Sequence, residues 1–210
     1  SSRFPRENRF GFFPSFSVGW NVAREDFMEP FTDIISELKP RASWGQIGNQ
    51  AIGNYAFMPT MGTGRANWIM DGVRPLTLGA PGLVRDNFTW ETVETLDVGM
   101  DVSMLRGRLR GTFDWYQRDT KGMLAPGAQL PAILGTSAPL QNVADLRTKG
   151  WELELSWRDR IDQVGYNIGF NLYDSRTHIT KYDNESGLLS QYRVGQELGE
   201  IWGFVTDGYY

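Results

Sequence analysis

From Leu96 to Met104 every second residue is a large aliphatic side chain, and every residue between is polar or small. Leu96, Val98, Met100, Val102 and Met104 stand against Asp97, Gly99, Asp101 and Ser103. Successive side chains on a strand point to opposite faces, so this run predicts a strand with one apolar and one wet face. Four more segments share the pattern. Phe12, Pro14, Phe16, Val18 and Trp20 alternate with Phe13, Ser15, Ser17 and Gly19; Leu109, Gly111, Phe113 and Trp115 with Arg110, Thr112, Asp114 and Tyr116. Trp151, Leu153, Leu155 and Trp157 alternate with Glu152, Glu154 and Ser156; Val164, Tyr166, Ile168, Phe170 and Leu172 with Gly165, Asn167, Gly169, Asn171 and Tyr173. A weaker sixth sets Leu38, Pro40, Ala42 and Trp44 against Lys39, Arg41, Ser43 and Gly45. Each run is about ten residues, longer than the usual soluble strand.

The connections fall into two classes. Gly107 sits between two alternating runs and suits a hairpin over 104–109, and 159–163 makes a second short link. Two long segments, about 46–91 and about 118–148, carry no sustained period, and loops of that length are usually functional. Phe31, Ile34, Ile35 and Leu38 are spaced for one helical face behind Pro30, which predicts a short helix over Glu29–Leu38. In an up-and-down order the helix-bearing link and the two short turns share one side and the long loops the other. That division matches an outer-membrane β-barrel.

Alternation alone fits a soluble sandwich equally well, because a sandwich also has an apolar and a wet face. Strand length, loop asymmetry and the tryptophans near strand ends at Trp20, Trp115, Trp151 and Trp157 favour the barrel. Distance limits the tryptophan argument. Trp151 and Trp157 are about 20 Å apart along a strand, or about 15 Å along the membrane normal at a tilt of ~40°, against an apolar band of ~25 Å. At least one of them therefore lies inside the band.

Composition excludes several functions. The net charge of -4 across 210 residues offers no excess of cations for nucleic acid. Apolar runs are too short for a membrane helix. The absence of cysteine removes thiolate chemistry and disulfides. The chain opens Ser1-Ser2-Arg3 without Met and reads as a piece of something longer.

No nucleophile elbow, phosphate loop or metal-ligand spacing occurs, so no catalytic residue, metal or cofactor is assigned. His178, the single histidine, reads as a solvated residue just after a strand. Asp183-Asn184-Glu185-Ser186-Gly187 reads as a turn rather than a calcium loop. Glu152 and Glu154 share a strand face; a β-rich glycoside hydrolase would use such a pair, but a wet barrel wall accounts for them without catalysis. Asp97, Asp101, Arg110, Asp114, Glu152, Glu154, Asn167 and Asn171 are the candidates for the polar, lumen-facing side. Tyr55, Trp68, Trp90 and Trp202 lie in loops and offer aromatic faces for a sugar ring.

Five stretches, in order, resemble the TonB-dependent outer-membrane transporters of the SusC/RagA type. They are Ser1-Ser2-Arg3-Phe4 with Gly11-Phe12-Phe13-Pro14-Ser15-Phe16-Ser17-Val18-Gly19-Trp20; Leu38-Lys39-Pro40-Arg41-Ala42-Ser43-Trp44-Gly45-Gln46-Ile47-Gly48-Asn49-Gln50; Thr89-Trp90-Glu91; Lys149-Gly150-Trp151-Glu152-Leu153; and Val194-Gly195-Gln196-Glu197-Leu198-Gly199-Glu200-Ile201-Trp202-Gly203. The resemblance implies an all-β, antiparallel, up-and-down transmembrane barrel. Residues 1–210 would supply about six of its 22 strands from the C-terminal half, with the plug domain outside this chain. It further implies active import of oligosaccharides or peptides across the outer membrane of a Gram-negative bacterium, driven by the TonB complex, with a SusD-like surface lipoprotein as lid and the lipid bilayer as surroundings. A secreted β-sandwich that binds carbohydrate through its loops is the alternative.

Overall fold

The computed structural model describes residues 3–54, 58–84, 89–126, 133, 138–184, 192–201, 203 and 207–208. Six strands form one antiparallel sheet: β1 (Ser15–Gly19), β2 (Ile35–Asn49), β5 (Glu91–Met104), β6 (Leu109–Pro126), β7 (Leu140–Ile161) and β8 (Val164–Lys181). Their spatial order β1-β2-β5-β6-β7-β8 follows the chain. The two remaining strands, β3 (Thr63–Arg65) and β4 (Leu76–Leu78), pair as a small hairpin within the long β2–β5 connection. The large sheet is open. At one edge, 195–198 begins to add to β8, with Ile179 N–H donating to Gln196 O at 2.9 Å and Leu198 N–H to Thr177 O at 2.7 Å.

Both short turns form where expected. Leu105, Arg106 and Gly107 take φ of 55°, 57° and 79°, and the Gly107 N–H closes the turn on Met104 O at 3.0 Å. The second link tightens to Asp162 and Gln163, because β7 and β8 pair down to Ile161 opposite Val164. Three strands are longer than their alternating cores: β7 runs 22 residues and β6 and β8 run 18 each, whereas β1 keeps only five residues, Ser15–Gly19, of the Phe12–Trp20 run. The apolar alternation marks only the part of each strand with a greasy face, and the hydrogen-bonded ladder continues past it.

The helix over Glu29–Leu38 is not present. Short 3-10 turns occupy Val22–Arg24 and Asp26–Phe31, and β2 begins at Ile35. A bulge explains the false period. Ile35 pairs with Met104 and Leu38 with Val102, so two residues three apart oppose two residues two apart, with the irregularity between Ile35 and Glu37. The extra residue returns Leu38 to the face of Ile35 and mimics the i, i+3 spacing of a helix. The Ser36 hydroxyl is 3.0 Å from the buried Ser103 hydroxyl, which fixes the bulge. Pro40 is tolerated because its peptide edge faces β1 just past that strand's end, where its carbonyl accepts from Trp20 N–H at 3.0 Å.

Among the described residues the buried hydrophobic side chains are Phe4, Ala23, Ala66, Ala144 and Ile179, which form no contiguous core. One face of the sheet instead exposes a continuous apolar surface. Leu109 sits between Met104 and Trp157, Phe113 between Met100 and Leu153, and Trp115 between Val98 and Trp151. Val98, Met100, Phe113, Ile168, Phe170 and Leu172 on this face are 41–63% exposed. A sandwich would cover such a face with a second sheet about 10 Å away.

The apolar face has oblique borders. On β1, β2 and β5 its last apolar row is Phe16, Trp44 and Leu96; on β6 and β7 it is Trp115 and Trp151, one alternate row lower; on β8 it is Leu172, lower again. At the opposite border the face continues on β7 and β8 to Ile161 and Val164, below the Leu109–Trp157 row. Such a border matches the tilt of barrel strands: at ~40°, each step of ~4.8 Å across the sheet changes height by about one residue. Along β7 the face runs from Trp151 to Ile161, interrupted at Asp159 opposite Tyr166, about 33 Å of strand or about 25 Å of height, the thickness of a barrel's lipid-facing band. Trp157 thus lies inside the band and Trp151 at its border.

Candidate functional site

The opposite face is polar across its whole width. Register places Asp97, Asp101, Arg110, Asp114, Glu152, Glu154, Asn167 and Asn171 together on it, in rows such as Asp101–Thr112–Glu154–Asn171 and Gly99–Asp114–Glu152–Tyr173. Their shared face follows from parity alone, since each stands an even number of residues from its neighbours on the same strand.

Arg41 is the organising cation of this face. Its Nη2 lies 2.7 Å from the Asp114 carboxylate, its Nε 3.3 Å from Asp101 and its Nη1 3.4 Å from Asp97. The Thr112 hydroxyl donates to Asp101 at 3.3 Å. Gly99 makes the cluster possible: a Cβ there would overlap the Asp114 carboxylate and press on the Arg41 guanidinium. The ion pair therefore occupies the space a side chain would fill. Gly150 does the same for the Tyr116 ring. Beside the cluster, Thr112, Asp114, Glu152, Glu154, Asn171 and Tyr173 line a shallow cleft. Arg41 was not among the sequence candidates. Its signal was the weak alternation around Pro40, which already set Arg41 on the polar side of its strand.

Above the apolar band, the same face that carries Trp115 and Leu96 turns charged. Trp44 Nε1 donates to Glu94 at 2.9 Å, Lys121 pairs with Glu94 at 2.6 Å, and Arg147 pairs with Asp119 at 2.6 Å. These groups lie beyond the band. There the Lys121 ammonium and the Trp44 indole hold the Glu94 carboxyl below its ordinary range, and the pairing raises Lys121. Burial opposes ionisation of Asp119, but hydrogen bonds from Arg147 and Gln117 outweigh it and keep that carboxyl low. His178 stands opposite Arg147 within β8, not after it, because the strand outlasts its apolar alternation.

The loop aromatics separate. Trp68 is 60% exposed. Trp90 is held: its Nε1 donates to Asn8 O at 2.8 Å, and its ring packs on Phe4 at 4.7 Å and Phe13 at 5.5 Å between centroids. Tyr55 and Trp202 lie outside the described residues, as do Glu185, Ser186 and Gly187 of the predicted turn.

An open antiparallel sheet with an apolar band on one face and charged rows on the other has the shape of a barrel wall. A family model described as "TonB dependent receptor-like, beta-barrel" matches residues 1–201. The chain belongs to the TonB-dependent receptor β-barrel family. It is of the SusC/RagA type. It is 30% identical over its full length to TonB-dependent receptor P3 of Formosa agariphila, covering 22% of that protein. It is 30% identical to TonB-dependent receptor SusC of Bacteroides thetaiotaomicron over 86% of this chain and 18% of SusC. Among solved structures, the RagAB peptide importer in its closed-closed state superimposes with a TM-score of 0.74 at 25% identity, covering 88% of this chain and 20% of that one. The chain thus spans about a fifth of the length of the relatives it matches. Those relatives are described as TonB-dependent receptors and, for RagAB, as a peptide importer.

Proposed function

We propose that this chain is a wall section of an outer-membrane active transporter in a Gram-negative bacterium. Its parent imports oligosaccharides or peptides with energy from the TonB complex and under a SusD-like lipoprotein lid. The apolar band faces lipid and the Arg41 face lines the lumen. The observation that carries this reading is the band itself: an exposed apolar surface of barrel height, with oblique borders and tryptophan at its upper rim. In a soluble protein so large an exposed patch would drive aggregation.

In this reading the polar rows, from Asp97 to Asn171, give the lumen a hydrogen-bonding, mostly acidic wall along which polar cargo passes. The likeness to the RagAB peptide importer supports peptide cargo, and the loop aromatics support sugars. Trp68 is the exposed aromatic for substrate stacking and Trp90 the anchored one, while Tyr55 and Trp202 keep the stacking role on their sequence alone. The β3–β4 hairpin exposes Trp68, Ile69, Met70, Val73, Leu76 and Leu78 and offers an apolar surface to the lid.

The test is electrophoretic and functional. The parent protein in SDS should migrate as a compact species until boiled and then shift, and cells lacking it should lose uptake of its peptide or oligosaccharide. A parent that needs no detergent and shows no heat shift would overturn the barrel.

A further inference from the structure

On one side of the band the chain leaves the sheet early. β1 ends at Gly19 opposite Arg41, and Trp20 still joins the ladder through its N–H on Pro40 O at 3.0 Å, but β2 runs on to Ile35 with no β1 residue opposite it. Parity with Phe16 and Val18 puts Trp20 on the apolar face, in the row of Pro40, Met100 and Phe113. The link that follows stays against the sheet. Its Val22–Arg24 turn packs on β2 with Ala23 buried, and at its far end Ile34 O accepts from Leu105 N–H at 2.6 Å.

This link carries large apolar side chains that the sheet does not bury. Trp20, Phe27 and Phe31 are 52%, 60% and 51% exposed. Phe27 meets Trp20 edge to face, 6.5 Å between ring centroids, so its ring continues the apolar face past the end of β1. The Trp20 indole N–H donates to Glu25 at 2.8 Å, which satisfies the polar edge of the ring and leaves its apolar body outward. Glu25, Asp26, Glu29 and Asp33 are exposed in the same segment. The long-loop border of the band has its tryptophans in Trp44, Trp115 and Trp151, whereas on β7 and β8 the short-turn border ends in Ile161 and Val164.

We infer that the link between β1 and β2 is an interfacial anchor, with the rings of Trp20, Phe27 and Phe31 seated in the headgroup–acyl boundary of the leaflet on the short-turn side and its carboxylates turned to water. The inference rests on the lipid-facing assignment of the band made above. That boundary takes an apolar ring and a polar edge together, and an amphipathic segment settles there about 5–10 Å deep. Continuity selects lipid over a protein partner. Trp20 shares its face and row with Met100 and Phe113, so the solvent that covers those side chains covers its ring, and Phe27 stands on that ring.

The experiment uses the full parent protein in lipid vesicles, cysteine-free apart from one fluorophore-labelled cysteine at Phe27, Glu29 or Phe113, with lipid brominated either near the headgroup end or near the methyl end of its acyl chains. The Phe27→Cys label should be quenched about twofold more strongly by the headgroup-end bromines, and the Phe113→Cys label more strongly by the methyl-end ones. The Glu29→Cys label should escape both and react with a water-soluble thiol reagent. An unquenched Phe27 label open to that reagent would overturn the inference. So would a label shielded from water and lipid alike, since a protein segment would then cover the link, and so would quenching of the Glu29 label equal to that at Phe27. Heat-shift electrophoresis checks that each variant forms the barrel, and Phe31→Cys in the same turn gives the reading if Phe27→Cys does not assemble. The Phe113 label separates the failures: quenched there and not at Phe27, only the anchor falls, whereas no quenching at either position sinks the lipid-facing band with it.

Discussion

The two faces of this sheet share every backbone hydrogen bond and differ only in which alternate residues they show. One presents Val98, Met100, Phe113 and Leu153; the other, one residue away along the same strands, presents Asp97, Asp101, Asp114 and Glu152. Among the described residues neither face buries a core. In the proposed barrel, the two sides are matched to two solvents and the ladder supplies cohesion. A substitution should therefore be judged by the solvent its face meets.

The largest effect should come from charging the middle of the band. Phe113→Arg should destabilise the parent by about 2–4 kcal/mol in a bilayer, whereas Thr112→Arg on the opposite face should change stability by much less. Denaturant titration of the two variants in lipid vesicles checks this, and equal losses would break the contrast between faces.

On the polar face, Arg41→Ala leaves Asp97, Asp101 and Asp114 facing one another without their shared cation. Because the cluster is only partly buried, the expected cost is about 1–3 kcal/mol, read as a lower temperature of the electrophoretic heat shift. Adding Asp114→Asn to that variant should restore part of the loss. Further loss instead would contradict the reading of Arg41 as the charge that holds the three carboxylates.

Gly99→Ala should cost about 1 kcal/mol, since its Cβ claims the space of the Arg41–Asp114 pair. In the Arg41→Ala background the same change should cost nearly nothing. Additive losses in that cycle would show that Gly99 serves the strand rather than the ion pair. The smallest effect belongs above the band, where Lys121 is more than half exposed: Lys121→Gln should shift stability by no more than about 0.5 kcal/mol.

Much of the wall was legible in the sequence because period-two alternation reports directly on face. Four of the strong runs and the two tight turns lie where parity and Gly107 put them, the Phe12–Trp20 run is strand only over Ser15–Gly19, and all eight polar-face candidates share one face. The misses have physical causes. The Ser36 bulge wrote a helical spacing into a strand. The outer halves of β6, β7 and β8 carry charges on both faces, so nothing in their hydropathy marks them as strand. The Arg41 cluster depends on contacts across β2, β5 and β6, between residues 56 to 73 positions apart, which no local pattern encodes. The band's oblique border, which resolves why Trp151 and Trp157 are too close to mark both rims, needed the inter-strand register.

The most direct measurement of the account is the solvent that each face meets. This chain has no cysteine, so single cysteines in a cysteine-free parent report on one position each. With fluorophores at Met100→Cys, Phe113→Cys and Leu153→Cys, brominated lipid should quench strongly. Cysteines at Asp101, Thr112 and Glu154 should react with a water-soluble thiol reagent and escape quenching. Equal aqueous labelling of both sets, or quenching on the Asp101 side, would contradict the assignment of lipid to one face and lumen to the other.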